Sequence, residues 1–179
     1  RFQAGELQIA VKVPTDKIDG VRKQYGGQLR NAPGLGTTML MLNHRRKPFD
    51  DPRVRRALAV AVDRDVLTDR ILRGTATPAY TVVPGSVSRY QRPVPQYASA
   101  TMAARQAEAR KLLADAGFGP GNPLRFTMQY FTEAKTRTLA VAMVSMWRAV
   151  GVQCELVNKD LGSVISSVRA GNYEVSLYA

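Results

Sequence analysis

The sequence contains only one cysteine, Cys154, and only one histidine, His44. One thiol cannot form an intrachain disulfide, and one imidazole cannot supply the several nitrogen or sulfur ligands of a typical zinc site. A catalytic triad needs a histidine beside a nucleophile and an orienting acid, whereas His44 begins a basic run that ends at Lys47. These absences argue against an enzyme, and we expect no catalytic residue, no metal site and no cofactor.

Acidic residues are also scarce, because 14 Asp and Glu face 26 Lys and Arg, which gives a net charge of +12. A strongly basic domain is one sign of a nucleic-acid-binding protein. The cations are spread along the chain, with clusters only at His44–Lys47 and Arg53–Arg56, and no aromatic residues alternate with them as stacking platforms. Solvated basic surfaces explain this pattern better, and nucleic-acid binding remains the alternative function.

The sequence has no apolar run of the roughly 18 residues that would cross a bilayer, and no N-terminal signal segment. It begins with Arg1 and ends with Ala179 inside a predicted strand. We therefore expect residues 1–179 to be one part of a larger protein, cut at both ends, whose signal peptide would lie outside this sequence.

The first half of the chain predicts short elements separated by turns. Alternating apolar and polar residues predict a half-buried strand. An aspartate followed by proline predicts a helix start. The carboxylate accepts a hydrogen bond from a backbone N–H, and proline has no N–H that would be left without a partner in the first turn. Before a long connection at residues 75–100, the predicted elements are strands Glu6–Val13 and Thr37–Asn43, and helices from Thr15 to Tyr25, from Asp51, and from Asp63 to Gly74.

In the second half, strands alternate with amphipathic helices. The predicted helices are Thr101–Ala116, Lys135–Val150 and Asp160–Arg169, and the predicted strands are Leu124–Phe131, Val152–Val157 and Tyr173–Ala179. This order predicts an α/β fold with a mixed, mostly parallel central sheet flanked by helices. Ligands of such sheets bind beyond the carboxyl ends of the strands. Those ends lie at Tyr130–Lys135, Asn158–Leu161 and Tyr178–Ala179.

One segment has a recognisable signature. From Asn43 to Asp65 the chain has Asn, then Pro-Phe-Asp-Asp, then Arg-Val-Arg-Arg-Ala-Leu and a closing Asp-Arg. This segment resembles the signature of the bacterial extracellular solute-binding proteins of family 5. Further segments are similar to motifs of that family in the same order: Arg1–Leu7, Gly74, Thr77–Tyr80, Ala109–Phe118, Tyr130–Thr132, Val150–Leu156 and Gly171–Val175. The resemblance covers essentially the whole chain and is greatest to the oligopeptide-binding branch.

The resemblance implies a periplasmic-binding-protein-like lobe of type II, with residues 1–179 as one α/β lobe of a two-lobed protein. Such a protein captures peptides or related small solutes in the cleft between its lobes and delivers them to the membrane permease of an ABC transporter. It implies an exported monomer, periplasmic or tethered to the cell surface, with no nucleic-acid partner.

The same resemblance suggests ligand-binding residues. The loop Tyr130–Arg137 matches a ligand-facing loop, in which a family histidine falls at Thr136, and Arg73 lies near a family lysine. Val168 and Leu177 stand where the oligopeptide branch has arginines that meet a peptide carboxylate, so Lys135 and Arg137 are candidate substitutes; the alternative is that both are exposed residues of a first helical turn. The candidates are Tyr130, Thr132, Lys135, Thr136, Arg137, Arg73, Leu177 and Tyr178.

Overall fold

The computed structural model describes residues 1–11, 13–32 and 34–178. The α-helices are α1 (Ile18–Tyr25), α2 (Pro52–Val60), α3 (Met102–Asp115), α4 (Ala134–Arg148) and α5 (Leu161–Arg169). The strands are β1 (Met39–Leu42), β2 (Arg125–Phe131), β3 (Gln153–Lys159) and β4 (Val175–Tyr178). Short 3₁₀-helices occupy Thr15–Lys17 and Gln96–Ser99, and a π-helix occupies Val66–Ile71. No helix of these ranges is both long enough and apolar enough to cross a membrane.

The four strands form one mixed sheet in the order β1-β4-β2-β3. β2 pairs in parallel with β3 and with β4, while β1 pairs antiparallel with β4. The predicted α/β fold with a mixed, mostly parallel sheet flanked by helices is confirmed. The parallel strands end together at what we call the carboxyl edge, near Phe131, Lys159 and Tyr178. At the opposite amino edge, these strands begin and β1 ends.

One face of the sheet builds the apolar core. The strand register places Met128 beside Val175 and Tyr130 beside Leu177, and all four side chains are buried. Trp147 of α4 is fully buried above them, and its indole nitrogen donates a hydrogen bond of 3.0 Å to the Leu58 carbonyl of α2. This bond allows an indole to lie in the core without leaving its N–H unsatisfied. The core therefore fixes α2 and α4 against β2 and β4.

The predicted starts of α2, α3 and α5 are confirmed, because at each start a side chain accepts a hydrogen bond from a backbone amide of the first turn. Asp51 accepts from the Arg53 amide at 2.8 Å, Thr101 from the Ala104 amide at 3.3 Å, and Asp160 from the Ser163 amide at 2.9 Å. Hydrogen bonds from the Arg53 side chain and backbone lower the pKa of Asp51, and those from Ser163 lower the pKa of Asp160. The carboxylates at these positions are caps.

The predicted strand Glu6–Val13 is wrong over the residues that the structure describes, and Lys12 lies outside them. Residues 6–11 and 13 are irregular, and Ile9 and Val11 are 77% and 81% exposed. A period of two marks which side chains share a face, but a strand also needs a neighbour that pairs with its backbone. No such neighbour is present in the described part of this chain.

The helix predicted from Asp63 forms with a different winding. Asp63 accepts from the Val66 amide at 3.1 Å, as expected of a cap, but the following turn is a π-helix. Its Thr68 hydroxyl is buried and bonds the Arg64 carbonyl at 3.1 Å, which occupies an acceptor of the helix ladder. The segment then ends with left-handed backbone at both Arg73 (φ 52°) and Gly74 (φ 69°).

Candidate ligand-binding edge

The loop between β2 and α4 is bound to the end of β3. The Thr132 amide donates to the Lys159 carbonyl at 2.9 Å, and its hydroxyl lies 3.0 Å from the Asn158 side-chain oxygen. Thr132 itself is exposed. Two of the three carboxyl ends predicted to face a ligand are therefore adjacent.

The three candidate residues in the first turn of α4 differ in how exposed their side chains are. Thr136 is fully buried, and its hydroxyl donates to the Glu133 carboxylate at 3.0 Å. Lys135 is half-buried and Arg137 is exposed. The two cations thus flank a helix N-terminus, where free backbone N–H groups and the helix dipole favour an anion. Among these three residues, Lys135 and Arg137 are the ones that solvent reaches.

Two other predicted residues lie in the core. Tyr130 is 7% exposed and Leu177 is 1% exposed, and they are neighbours across β2 and β4. Tyr178, the next residue of β4, points to the other face and is 47% exposed opposite Met39. A ligand at the carboxyl edge would meet Tyr178 before the other two. Contact of Tyr130 and Leu177 with a ligand stays a prediction.

Arg73 lies against α1. Its guanidinium forms an ion pair with Asp19, and Arg22 reaches the same carboxylate at 3.3 Å. These side chains, together with Asp69 and Arg70, line a surface cleft of about 400 Å³. The structure therefore places Arg73 in a charged cluster of its own, and its part in ligand binding stays a prediction.

Sequence reasoning missed a polar cluster beneath α5. Lys159 donates to the Gln129 side-chain oxygen at 2.8 Å and to the Ser167 hydroxyl at 3.0 Å. Gln129, which is 4% exposed, also donates to the fully buried Ser176 hydroxyl at 3.3 Å. Lys159 lies in the segment 158–161 that was predicted to face a ligand, but the strand prediction ended before it. The direction of its side chain, towards α5, has no signal in the sequence.

The long connection at residues 75–100 is anchored at its aromatic residues. The Arg64 guanidinium lies 4.7 Å from the Tyr80 ring centroid, and the buried Arg105 guanidinium lies 5.6 Å from that of Tyr97. The two rings meet edge to face at 5.9 Å. Burial lowers the pKa of Arg64. These contacts fasten the connection beside the carbonyl end of α2, where Arg105 donates to the Val60 carbonyl at 2.9 Å.

No group of three or more His, Cys, Asp or Glu within residues 1–11, 13–32 and 34–178 is arranged to hold a metal ion. Cys154, the single thiol, is half-buried on the core side of β3, and desolvation raises its pKa to about 12. The chemistry at the carboxyl edge is therefore that of hydrogen-bonding groups and cations.

Comparison with known proteins identifies similar chains. A model of the family "bacterial extracellular solute-binding proteins, family 5 Middle" matches residues 1–179. The periplasmic oligopeptide-binding protein OppA of Haemophilus influenzae is 34% identical over 98% of this chain. Its structure, solved in complex with RPPGFSPFR, superposes with a TM-score of 0.87 over 99% of this chain and 36% of that one.

Two Escherichia coli proteins are also similar. The structure of the murein tripeptide binding protein MppA has 31% sequence identity and a TM-score of 0.90, over 99% of this chain and 35% of that chain. YgiS, named as a probable deoxycholate-binding periplasmic protein, is 33% identical over 98% of this chain and 33% of its own length. The chain thus spans about one third of the length of the curated relatives that it matches.

Proposed function

The chain belongs to the bacterial extracellular solute-binding proteins of family 5, and we propose that it is part of the substrate-binding component of an ABC importer. The protein captures a peptide or a related small solute outside the cytoplasm and passes it to the membrane permease. The observation that supports this most is the family match over residues 1–179, together with TM-scores of 0.90 and 0.87 to peptide-binding relatives. These relatives are binding proteins and not enzymes, and the nucleic-acid alternative finds no support among them.

Residues 1–179 form one lobe in this proposal, and the remainder of the protein supplies the opposing wall of the cleft. In this proposal the protein is a monomer. It acts in the periplasm or on the cell surface, as its relatives named periplasmic suggest. The carboxyl edge faces the cleft, because ligands of parallel sheets collect there. Closure of the lobes then excludes water from the ligand and strengthens each polar contact.

Lys135 and Arg137 recognise a carboxylate of the ligand. Both flank the N-terminus of α4, both lack an ion-pair partner within 4.0 Å among the described residues, and Thr132 presents a hydroxyl nearby in sequence. A hydrogen bond between charged groups contributes about 1.5–3 kcal/mol. Replacing either Lys135 or Arg137 by Gln should weaken binding roughly 10- to 100-fold, and replacing both should weaken it more.

A second ligand class is an amphipathic carboxylate. YgiS, at 33% identity, is named for deoxycholate, which presents an acid group on an apolar body. Val168 and Leu177, where the oligopeptide branch has arginines, make this chain less basic at those positions than a peptide-binding relative. Both ligand classes share the carboxylate that Lys135 and Arg137 would bind.

A thermal-shift screen of the full-length protein tests the proposal. A ligand that binds only the folded state stabilises it by about 2.7 kcal/mol when its concentration is 100 times the dissociation constant. Di- to pentapeptides should raise the melting temperature, and their C-terminally amidated forms should not. A shift by deoxycholate alone would assign the second ligand class, and no shift by any peptide or amphipathic acid would refute the proposal.

The site residues need a matched control. Arg148 is exposed at the other end of α4, so Arg148→Gln removes a charge from the same helix without approaching the carboxyl edge. The proposal requires that Lys135→Gln/Arg137→Gln loses ligand affinity while Arg148→Gln keeps it. Equal losses in both variants would show that helix charge in general, and not the site, affects binding.

A further inference from the structure

The amino edge of the sheet bears exposed cations from three separate parts of the chain. The loop that follows β1 contributes three of them, the first residue of β2 contributes one, and the last residue of α5 contributes one. We call this cluster the basic edge. Its members are Arg45, Arg46, Lys47, Arg125 and Arg169, all exposed.

Buried hydrogen bonds hold two parts of the basic edge together. Asn43, only 6% exposed, donates from its side chain to the carbonyls of Gly171 at 3.0 Å and Tyr173 at 2.8 Å. Its backbone amide donates to the Glu174 carbonyl at 2.9 Å. Because Gly171 follows Arg169 by two residues, the basic loop is fixed beside the end of α5.

The loop is also organised internally. The Arg46 amide donates to the Asn43 carbonyl at 2.9 Å, and the Phe49 amide donates to the Arg46 carbonyl at 2.8 Å. Phe49 is fully buried and packs edge to face on Phe126, with ring centroids 5.3 Å apart. The loop backbone is therefore tied to the core, so presenting its cations costs little further ordering of the backbone.

The start of β2 joins the same surface. The Thr127 amide and hydroxyl donate to the Glu174 carboxylate at 2.8 and 2.7 Å. Arg125, two residues earlier, therefore lies beside the segment that Asn43 holds. The five cations thus belong to one edge of the molecule.

The basic edge is not neutralised. No member has a carboxylate within 4.0 Å in the described part of the chain, although seven ion pairs form elsewhere there. Two of the neighbouring acids are already engaged, Glu174 by Thr127 and Asp51 by Arg53 at 2.6 Å. Asp50 and Glu155 are further carboxylates near this edge, and both are exposed; Glu155 lies opposite Thr127 in the register of β2 and β3. The hydrogen bonds from Thr127 leave the charge of Glu174 in place, so five cations lie near three carboxylates, and the amino edge keeps a net positive charge.

We propose that the basic edge docks the protein on the anionic phosphate headgroups of a membrane. The cations come from loops and element ends, as suits a broad charged surface, and no aromatic side chain alternates with them to stack nucleic-acid bases. The relatives are named periplasmic, and the periplasm is bounded by membranes. The basic edge also lies opposite the carboxyl edge, so docking would leave ligand binding free. The inference does not depend on which ligand the protein binds.

The full-length protein should co-sediment with vesicles of phosphatidylcholine that contain phosphatidylglycerol, and not with phosphatidylcholine alone. Added salt should release it, because exposed charges are screened. Each Arg or Lys near an anionic surface contributes about fivefold to partitioning, so Arg45→Gln/Arg46→Gln/Lys47→Gln should reduce it on the order of 100-fold. A second variant, Arg125→Gln/Arg169→Gln, should reduce it about 25-fold by the same rule.

The matched control is Lys23→Gln/Arg89→Gln/Arg92→Gln, which removes the same net charge from exposed positions outside the basic edge. It should bind vesicles nearly as well as the wild type, and circular dichroism should show that all variants are folded. Equal losses in the control and the loop variant would overturn the proposal, since net charge alone would then explain binding. So would binding to neutral vesicles, or binding to duplex DNA at salt concentrations that release the vesicles. Ligand-induced thermal shifts in the loop variant separate this test from that of the proposed function.

Discussion

Two regions of the chain use their apolar residues differently. One region packs on the sheet, and the other consists of segments that do not pack on it. Residues 102–178 bury both Phe126 and Trp147 in one core. The segment before Pro14 exposes Ile9 and Val11, although its sequence alternates more regularly than β1 does. The comparison teaches that an apolar pattern stabilises structure only where the same chain supplies a partner surface.

The largest expected effect separates the two regions directly. Trp147→Ala should lower the free energy of unfolding by about 3–5 kcal/mol, because it leaves a cavity between α2 and β2 and removes the donor to Leu58. Ile9→Ala, at a side chain that is 77% exposed, should change it by less than about 0.5 kcal/mol. Urea unfolding followed by circular dichroism measures both. A large loss for Ile9→Ala would mean that this segment is packed in the full-length protein, and the comparison would then hold only for the chain taken alone.

A smaller effect tests whether buried polar contacts contribute to the free energy of unfolding as buried apolar contacts do. Lys159→Met removes the donor to Gln129, whose side-chain oxygen is then buried without a partner, at a cost of about 1–3 kcal/mol. The double variant Lys159→Met/Gln129→Leu removes the unsatisfied oxygen but also the donor to the Ser176 hydroxyl, so it should recover only part of that loss. The same unfolding experiment completes the double-mutant cycle. Additive losses would show that Lys159 and Gln129 act independently, contrary to their 2.8 Å contact.

The sequence predicts most of the packed region but little about how the side chains of the candidate site are oriented. Amphipathic helices, caps such as Asp51-Pro52, and the strands that became β2, β3 and β4 all follow from local patterns. The antiparallel direction of β1 does not, because direction depends on which neighbour the strand meets. For the same reason, no local pattern shows that Thr136 turns inward to Glu133 while Arg137 stays in solvent.

The resemblance to the family predicts a ligand-facing loop at residues 130–137 but not the orientation of each of its side chains. Tyr130 was a candidate for ligand binding, yet alternation along β2 also put it on the face with Met128, which is the core face. Lys159 was overlooked because its strand continues two residues beyond the predicted end. Side-chain direction at the end of a strand depends on the register with its neighbours, which a single sequence does not contain.

The smallest expected effect concerns the connection at residues 75–100, which is irregular like the N-terminal segment but is anchored at Tyr97. Tyr97→Leu keeps an apolar side chain and removes the ring that faces three guanidiniums at 5.6–5.9 Å. A cation–π contact contributes about 0.5–1 kcal/mol at exposed sites. Local opening of the connection should therefore become a few times more frequent, while the global free energy of unfolding stays nearly constant.

Limited trypsin digestion measures that opening, because Arg89 is an exposed cleavage site within the connection. When reclosing is faster than cleavage, the cleavage rate follows the population of the open form. Val82→Ala is the control, since this side chain is 66% exposed, lies in the same connection and leaves the bond after Arg89 unchanged. Faster cleavage in Tyr97→Leu alone would show that the connection is intermediate between the two regions. Its backbone is irregular, but contacts to α2 and α3 stabilise it. Equal cleavage rates in the two variants would group it with the exposed N-terminal segment.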